Sequence, residues 1–397
     1  MSRVMIVAGG AWQCPIVRTA KAMGHEVLCT NLYADSPAFE FADACEVADV
    51  LDKDRNLQIA KSWKPDAVLT DQSDIAVPTV AYVSEQLGLR GIGTKMAQLY
   101  TNKHKMMDYC AEHGFPHPTS FLCHSLDEAR SALRGLDLAI IKPLDSQSSR
   151  GVHIISSPEQ LEANYDDCVS YSNSEHAILL EEYIQGVEFT VDGLKTEQGY
   201  WPLAISRKKH FDYNENVASE LLFSHYDAEF DYDALRALNT AMVQESGLPF
   251  GLTHTEYKYR DGNYYLIEMA ARGGGTRISS DLVPIMSGVN SNEVLIDALL
   301  GRSRTVEPSL SRDKWAILGF FDFVPGKVRS IEGLDEARSI EGVRALGLDV
   351  APGDTIEQAS DDRARCGYYI IEATSKDELR HRERLTKEMV RVVYERR

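Results

Sequence analysis

The sequence predicts a mixed α/β and α+β protein of several domains, which opens with a doubly wound parallel sheet. Its 397 residues exceed one ordinary core, because domains usually hold about 100 to 200 residues. Short apolar runs alternate with helix-like segments over about the first 95 residues, and this alternation is typical of a parallel sheet covered by helices. Strand-like runs dominate from about residue 188 to residue 301, which indicates an α+β arrangement there.

Composition, cysteine use and charge exclude several classes of protein. The seven cysteines are scattered without a CxxC pair, which argues against a disulfide framework and against a zinc site. A net charge of −18 would repel a phosphate backbone, so we expect no nucleic-acid partner. The N-terminus lacks a secretory signal, and no segment approaches the ~20 apolar residues of a membrane span. We therefore expect a cytoplasmic protein that does not enter membranes.

The N-terminal rhythm predicts a βα alternation. Apolar runs predict parallel strands at residues 4–8, 27–29, 45–50, 67–70 and 91–93. The Gly9-Gly10 turn after the first run invites a dinucleotide site, but the stretch AGGAWQC lacks the full GxGxxG spacing. A nicotinamide-dependent enzyme is therefore disfavoured, and the turn is expected to face a substrate or to let the chain enter a helix tightly.

Two lysines stand where an anion would be stabilising. Asn102 is expected to cap a helix that starts at Lys103, where a cation at the positive end of the helix dipole costs roughly 0.3 to 1 kcal/mol. Lys142 ends an apolar strand and is followed by the loop DSQSSRG. Small residues in that loop allow backbone amides to wrap phosphate oxygens; its serines are Ser146, Ser148 and Ser149. The alternative for each lysine is a surface position beside an ordinary loop.

The stretch ILLEEYIQGVEFTVDG, residues 178–193, suits an adenine and a ribose. An apolar strand reaches Glu181, turns at Gln185-Gly186 and resumes with Glu188. Backbone groups of such a linker can read the edge of the base, and carboxylates seven residues apart can take the amino group and the ribose hydroxyls. The alternative is an ordinary strand, turn and strand with solvated acids.

Two glutamates interrupt a predicted hairpin at residues 256–269. A two-residue Asp261-Gly262 turn would send Glu256 and Glu268 to opposite faces, because side chains alternate with period two. A three-residue loop, residues 260–262, would place both carboxylates on one face, and we expect this arrangement. Adjacent carboxylates repel unless a cation lies between them, and two carboxylates with water and phosphate are the usual ligands of Mg²⁺. The alternative is one solvated glutamate on each strand.

Together these segments give the chain a resemblance to the ATP-grasp ligases. The order and spacing of the motifs are more specific than any one of them and cover about residues 1 to 375; the matching stretches are TNKHKMM, AIIKP, DSQSSRG, LLEEYIQGVEF, THTEYKY and YLIEMAAR. The resemblance is nearest to the carboxylate–amine and L-amino-acid ligase branch, which is related to biotin carboxylase. The stretch RGGG after YLIEMAA favours the amino-acid ligase branch, and no biotin-accepting MKM segment is present.

The resemblance implies that the protein binds ATP and Mg²⁺ or Mn²⁺. Glu181 would meet the adenine amino group, Tyr183 and Ile184 the base through backbone and packing, and Glu188 the ribose. The residues expected around the nucleotide are Lys103, Lys142, Ser146, Ser148, Ser149, Glu181, Glu182, Tyr183, Ile184 and Glu188. The expected metal ligands are Glu256 and Glu268. The expected catalytic residues are Arg272 and Lys142. The expected substrate residues are Arg272, Gly273, Gly274, Gly275 and His210.

Departures from the family pattern affect the phosphate loop and the metal site. The loop DSQSSRG has one glycine where many relatives have several, so its action as a mobile lid is in question. Ala270 stands where an asparagine ligand often occurs, so water or a bidentate Glu268 would have to hold a second ion. In SRKKHF, residues 206–211, we expect a solvated basic turn for most of the basic residues, although the segment lies near the expected triphosphate.

The resemblance implies four domains and a ligase activity. The expected domains are a pre-ATP-grasp domain at residues 1–95, a small lobe with its preceding helices at 96–178, a large lobe with the metal site at 179–301, and a β-rich C-terminal subdomain with a terminal helix at 302–397. The expected partners are a small carboxylate and an amine, joined through an acyl-phosphate with release of ADP and phosphate, and a homodimer is possible. The alternatives are a bicarbonate-using carboxylase or carbamoyl-phosphate-type enzyme, and a non-catalytic nucleotide-binding protein.

Overall fold

The structure is a computed structural model that describes residues 1–146 and 149–395. Ser148, one of the residues expected at the phosphates, lies outside the described residues. Within the described residues, no helix is both long enough and apolar enough to cross a membrane.

The N-terminal unit is a parallel sheet with helices, as the sequence predicts. Its strands are β1 (Arg3–Val7), β2 (Glu26–Asn31), β3 (Ala44–Val47) and β4 (Ala67–Leu69), and its helices are α1 (Cys14–Ala22), α2 (Lys53–Trp63) and α3 (Val77–Leu87). The strand order is β3-β2-β1-β4. The interior strands β1 and β2 are buried on both faces, which explains their continuous apolar runs. The strand predicted at residues 91–93 is wrong, because Gly93 has a φ of +81° and caps the next helix.

A small lobe follows. Its helices are α4 (Thr94–Leu99), α5 (Lys103–His113), α6 (Leu126–Leu133) and α7 (Pro158–Ser170), and its strands are β5 (Ser120–Cys123), β6 (Ala139–Pro143), β7 (His153–Ile155) and β8 (Ile178–Glu182). Asn102 caps α5 as predicted, since its side chain accepts from the amide of Lys105. The strands form an antiparallel sheet in the order β5-β8-β6-β7.

The remaining chain is mostly strands. Those of the large lobe are β9 (Val187–Thr196), β10 (Gly199–Phe211), β11 (Asn214–Ser224), β12 (Gly251–Arg260) and β13 (Asn263–Ala270), with helices α8 (Tyr232–Glu245), α9 (Val283–Ser287) and α10 (Ser291–Leu299). The C-terminal strands are β14 (Trp315–Phe320), β15 (Gly326–Glu332), β16 (Val343–Leu348), β17 (Thr355–Ile356), β18 (Gly367–Ala373) and β19 (Arg391–Tyr394), with helices α11 (Leu334–Arg338) and α12 (Lys376–Met389). A turn of π-helix covers Ile278–Leu282.

One large sheet joins the large lobe to the C-terminal segment. Its order is β13-β12-β9-β10-β11-β14-β18-β16, and a separate small sheet has the order β17-β15-β19. The strand pairing bears on the expected domain boundaries. β8 pairs with β5 and β6, so the small lobe extends to Glu182 and the boundary expected after residue 178 lies too early. The other limits remain proposals, although the boundary at 301 does not separate two sheets.

Candidate active site

The predicted segments converge on one cleft of about 670 Å³. The N-terminal unit, both lobes and the C-terminal segment all contribute to its wall. The expected site residues that line it are Lys103, Lys142, Ser146, Ser149, Glu181, Glu182, Tyr183, Ile184, Glu188, His210, Glu256, Glu268, Arg272 and Gly275. Residues far apart in the sequence therefore share one space, as the order of the motifs indicates.

Glu256 and Glu268 lie directly opposite each other, but not for the predicted reason. The turn has two residues, since Arg260 pairs with Asn263. Asp261 and Gly262 have φ values of 52° and 85°, as this kind of turn requires. The expected three-residue loop is therefore wrong. A register shift between Glu256 and Tyr257 supplies the missing residue: Tyr257 pairs with Leu266 and Glu256 with Glu268. The resulting bulge brings both carboxylates to one face.

Alternation along the central strand β9 separates the cleft from the core. Phe189 and Val191 point into the buried cluster beneath the sheet. Glu188 points to the opposite face and lines the cleft. In the register of the sheet, Glu188 lies between Lys208 of β10 and Lys258 of β12. The sheet therefore presents a row of alternating charge to the cleft.

Lys208 contacts two acids of the site, whereas the sequence analysis assigned it only to a basic turn. Its ammonium lies 2.6 Å from Glu188 Oε1 and 2.7 Å from Glu256 Oε1. Burial would lower the pKa of Lys208, but the charges of the two glutamates raise it above its ordinary value. The expected basic turn is wrong, because β10 runs unbroken through these residues and turns Lys208 inward while Lys209 stays exposed. The period-two spacing of Ser206, Lys208 and His210 was the available signal.

Lys103 has an anion beside it, as its place at the start of α5 predicts. Its buried ammonium donates to Glu268 Oε1 at 2.8 Å and to the carbonyl oxygen of Ser146 at 3.0 Å. Burial would lower the pKa of Lys103, but the charge of Glu268 leaves it raised. The side chain therefore ties one expected metal ligand to the start of the phosphate loop.

Lys142 and Glu181 form a second buried pair, with 2.5 Å between Nζ and Oε2. Oε2 therefore has the Lys142 ammonium as its partner, whereas Oε1 is buried with no hydrogen bond among the described residues. A buried acceptor of this kind is costly unless a ligand supplies a donor.

The backbone of Tyr183, which was expected to meet the base, differs from that expectation. The amide of Tyr183 donates to the carbonyl of Leu138 and is not available to a base.

His254 connects Glu256 to the interior, and the sequence analysis did not single it out. Its Nδ1 lies 2.9 Å from Asp192 Oδ1, and its Nε2 lies 3.2 Å from Glu256 Oε1. Burial would lower the pKa of His254, but the carboxylates of Asp192 and Glu256 raise it to about 9. Both ring nitrogens therefore carry hydrogen at neutral pH and donate to the two acids.

The carboxylate pair is compatible with a divalent ion. No group of three or more His, Cys, Asp or Glu side chains converges as a metal site in residues 1–146 and 149–395. A Mg²⁺ ion bound by water and phosphate oxygens needs only one or two protein carboxylates. The lysine and histidine contacts of Glu256 and Glu268 fall on Oε1 in both residues, which leaves Oε2 of each for such an ion.

Arg272 links the site to the N-terminal unit. Its guanidinium makes a bidentate contact to Asp74, with Nε at 2.9 Å from Oδ1 and Nη2 at 2.7 Å from Oδ2. Burial would lower its pKa, but the charge of Asp74 raises it. An arginine held in this way at the cleft wall is placed to meet a second, mobile carboxylate.

The glycines after Arg272 pack against protein more than expected. The amide of Gly273 donates to the carbonyl of Asp71 at 2.8 Å, and that of Gly274 to Asp192 Oδ1 at 3.0 Å. These two amides are therefore not available to a substrate carboxylate, contrary to expectation. Gly275 does line the cleft and has open space where a side chain would be.

Asp71 is a fully buried acid two residues after β4, beside this loop. Its carboxylate accepts hydrogen bonds from Gln72, Ser279 and Asn292. Burial raises its pKa to about 6 in spite of these donors. The folded state therefore holds a proton on Asp71 in a pH range where the unfolded chain has lost it.

We expect Asp71→Asn to change the pH dependence of stability. The folded state raises the pKa of Asp71, so its contribution to the free energy of unfolding is fully present below about pH 4 and is lost as the pH rises through 6. The loss between these two limits is about 2 to 3 kcal/mol. The variant should gain stability relative to wild type by this amount between pH 4 and 7. Urea unfolding across that range measures it, with the exposed Asp35→Asn as control. Parallel curves for wild type and Asp71→Asn would contradict the assignment.

Comparison with known proteins agrees with this geometry. Residues 138–281 match the ATP-grasp domain, and residues 320–395 match the L-amino acid ligase C-terminal domain 2. The formate-dependent phosphoribosylglycinamide formyltransferase of Bacteroides fragilis is 26% identical over 189 residues, which cover 47% of this chain and 48% of the relative. The protein of that name from Vibrio cholerae is 25% identical over 391 residues, which cover 92% and 95%. The chain thus spans about half the length of the first relative and nearly all of the second.

Solved structures show the same fold. The L-amino acid ligase from Bacillus licheniformis has a TM-score of 0.80 at 20% identity, with 100% of this chain and 99% of that chain covered. The biotin carboxylase domain of the Hydrogenobacter thermophilus 2-oxoglutarate carboxylase, solved with MgADP, ADP and bicarbonate, has a TM-score of 0.76 at 17% identity, with 99% and 90% covered. The chain therefore has the ATP-grasp fold and carries an ATP-grasp domain, which confirms the predicted superfamily. Its C-terminal segment is similar to the L-amino acid ligase C-terminal domain 2.

Proposed function

We propose that the protein is an ADP-forming ATP-grasp ligase, which activates a small carboxylate as an acyl-phosphate and joins it to an amine. The observation that carries the proposal is the pair Glu256 and Glu268, placed opposite each other across two strands in a cleft that Lys103 and Lys142 also line. Two acids and two lysines in one cleft are suited to the charges of a nucleotide triphosphate and its metal.

The nucleotide lies between the two lobes in this proposal. Glu181 supports the adenine end, because its buried Oε1 has no hydrogen bond among the described residues and the adenine amino group is a donor. Lys103 and Lys142 neutralise phosphate charge, and Ser146 and Ser149 of the loop line the same cleft. Glu256 and Glu268 would hold Mg²⁺ or Mn²⁺, which supplies charge neutralisation of the transferring phosphoryl group.

The reaction needs no side-chain nucleophile. A carboxylate oxygen of the substrate attacks the γ-phosphorus, the bond from that phosphorus to the β,γ-bridging oxygen breaks, and ADP leaves. The amine then attacks the acyl carbon and displaces phosphate, and its proton is lost to water. Arg272 holds the carboxylate, while Lys142 and Lys103 stay with the phosphates.

One part of the cleft wall supports an organic substrate over bicarbonate. Trp12 and Gln72 of the N-terminal unit and Tyr368 of the C-terminal segment line it. The rings of Trp12 and Tyr368 are 5.3 Å apart in an edge-to-face contact, which forms an aromatic wall that a three-oxygen anion does not need. A carboxylate with a side chain is the substrate class that this wall favours.

We expect ADP release to require a carboxylate and an amine together, or a carboxylate with hydroxylamine, which traps an acyl-phosphate as a hydroxamate. Amino acids and other small carboxylates, each offered with and without an amine, form the screen, and ADP is measured by a coupled assay. Release with bicarbonate alone would favour the carboxylase alternative. Binding of ATP without release for any pair would favour a non-catalytic nucleotide-binding protein. The cytoplasmic location and the homodimer remain predictions from the sequence.

A further inference from the structure

We propose that His254 is a positioning residue that fixes Glu256 with Oε2 toward the metal, and that Asp192 couples this arrangement to the loop after Arg272. The proposal rests on the proposed function, since it takes Glu256 as a metal ligand. In this proposal His254 contacts neither the nucleotide nor the metal, and it acts only through the carboxylate of Glu256.

The contacts of Glu256 support a fixed orientation. Lys208 Nζ and His254 Nε2 both approach Oε1, at 2.7 Å and 3.2 Å. Two donors on one oxygen hold the carboxylate against rotation about its last bond, and the second oxygen is left for the cleft. Glu268 differs, because among the described contacts its Oε1 meets Lys103 alone. Glu256 is therefore the more rigid of the two acids.

The other side of His254 leads to the substrate loop. Asp192 Oδ1 accepts from His254 Nδ1 at 2.9 Å and from the amide of Gly274 at 3.0 Å. A Cβ on Gly274 would stand 2.6 Å from Asp192 Oδ1, so the close approach requires glycine. The chain of contacts Gly274, Asp192, His254 and Glu256 thus runs from the loop beside Arg272 to the metal edge of the sheet.

The burial and the contacts of Asp192 support its role as the link between His254 and Gly274. It is almost fully buried, and its Oδ2 has no hydrogen-bond partner among the described residues. A buried carboxylate with one oxygen unpaired is costly, and stabilisation by a histidine alone would not require it to hold Gly274 as well. The arrangement is explained if the loop and the metal ligand must keep a constant separation.

The test measures metal binding directly. Mn²⁺ binding in the presence of ADP is followed by the loss of the free Mn²⁺ signal in electron paramagnetic resonance. His254→Gln is expected to weaken Mn²⁺ binding about 10- to 100-fold, the usual effect of removing a partner of a metal ligand. Binding of ADP without metal should stay at the wild-type level. His225→Gln is the matched control, because His225 is equally buried and bonds the carbonyl of Met286 away from the cleft.

A second variant keeps the test decisive if His254→Gln does not fold. Asp192→Asn is isosteric and should also weaken Mn²⁺ binding, although Asp192 does not touch the metal. In the double variant the two losses should not add, because both act through one chain of contacts. Wild-type Mn²⁺ affinity in either folded single variant would overturn the positioning role. Failure of the wild-type chain to bind Mn²⁺ with ADP would overturn the proposed function itself.

Discussion

Glu268→Gln is expected to lower Mg²⁺-dependent ADP release by about 10³-fold or more. The change removes one of the two proposed carboxylate ligands and would leave the metal with a neutral oxygen, and a metal ion contributes several kcal/mol to charge stabilisation in such reactions. The fold should persist, because the amide oxygen of the new side chain can still accept from Lys103, whose ammonium is also bonded to the carbonyl of Ser146. The measurement is steady-state ADP release with the substrate pair found in the screen, at saturating and limiting Mg²⁺.

The control for this variant is Glu197→Gln, which removes a carboxylate paired with Arg90 at the surface. It should leave the rate unchanged. Excess Mg²⁺ should restore only part of the activity of Glu268→Gln, because the lost ligand affects the bound geometry as well as the affinity. Full activity of the folded variant at ordinary Mg²⁺ would show that Glu268 is not a ligand.

Lys208→Met should be the most destabilising single change at the site. It leaves Glu188 and Glu256 side by side without the ammonium that now lies between them. Removal of one partner from a buried ion pair costs about 3 to 5 kcal/mol, because the remaining charge stays buried. The urea midpoint of unfolding measures the loss. Activity should also fall, since Glu256 would lose one of the two donors on Oε1.

Lys209→Met is the natural comparison, because the neighbouring lysine is exposed on the same strand. It should change the midpoint little. Glu188→Gln added to Lys208→Met should recover part of the stability, since it removes one of the two acids that lose the Lys208 ammonium. Glu188 keeps Lys258 and Glu256 keeps His254 as partners in the single variant. If Lys208→Met unfolds at the same urea concentration as Lys209→Met, the buried pair contributes nothing and the electrostatic account of the site is wrong.

The fold could be predicted because the motifs follow one another along the chain in the order that the ATP-grasp lobes require, in addition to having the right residues. Apolar runs between helix-like segments predict the parallel sheet, and the lysine, loop and hinge motifs follow one another as the two lobes require. The cap at Asn102 shows why local chemistry is readable: one side chain satisfies an amide three residues away. Gly93 shows the limit, since an apolar residue between glycines resembles a strand until the positive φ is known.

The site was predictable only in part, because its geometry depends on register. The bulge before Glu268 cannot be read from a hairpin motif, and without it the two glutamates would face opposite ways. His254 and Asp192 meet across two strands and are 62 residues apart. Lys208 was assigned to a solvated turn because its neighbours in the sequence are basic. On a strand, however, adjacent side chains point to opposite faces, so exposed Lys209 says nothing about the exposure of Lys208. Contacts between strands, unlike caps and turns, have no local signature.

The eight-stranded sheet has a consequence for exchanging parts between relatives. β14 pairs with β11 on one side and with β18 on the other, so the match to the L-amino acid ligase C-terminal domain begins at the last residue of a strand inside the sheet. A chimera joined at residue 320 would place a foreign β18 against a native β14. A junction in residues 302–311 would instead keep β14 with β18 and place the foreign–native pairing between β11 and β14. Either junction leaves one foreign pairing inside the sheet, so the C-terminal segment cannot be exchanged as an independent module.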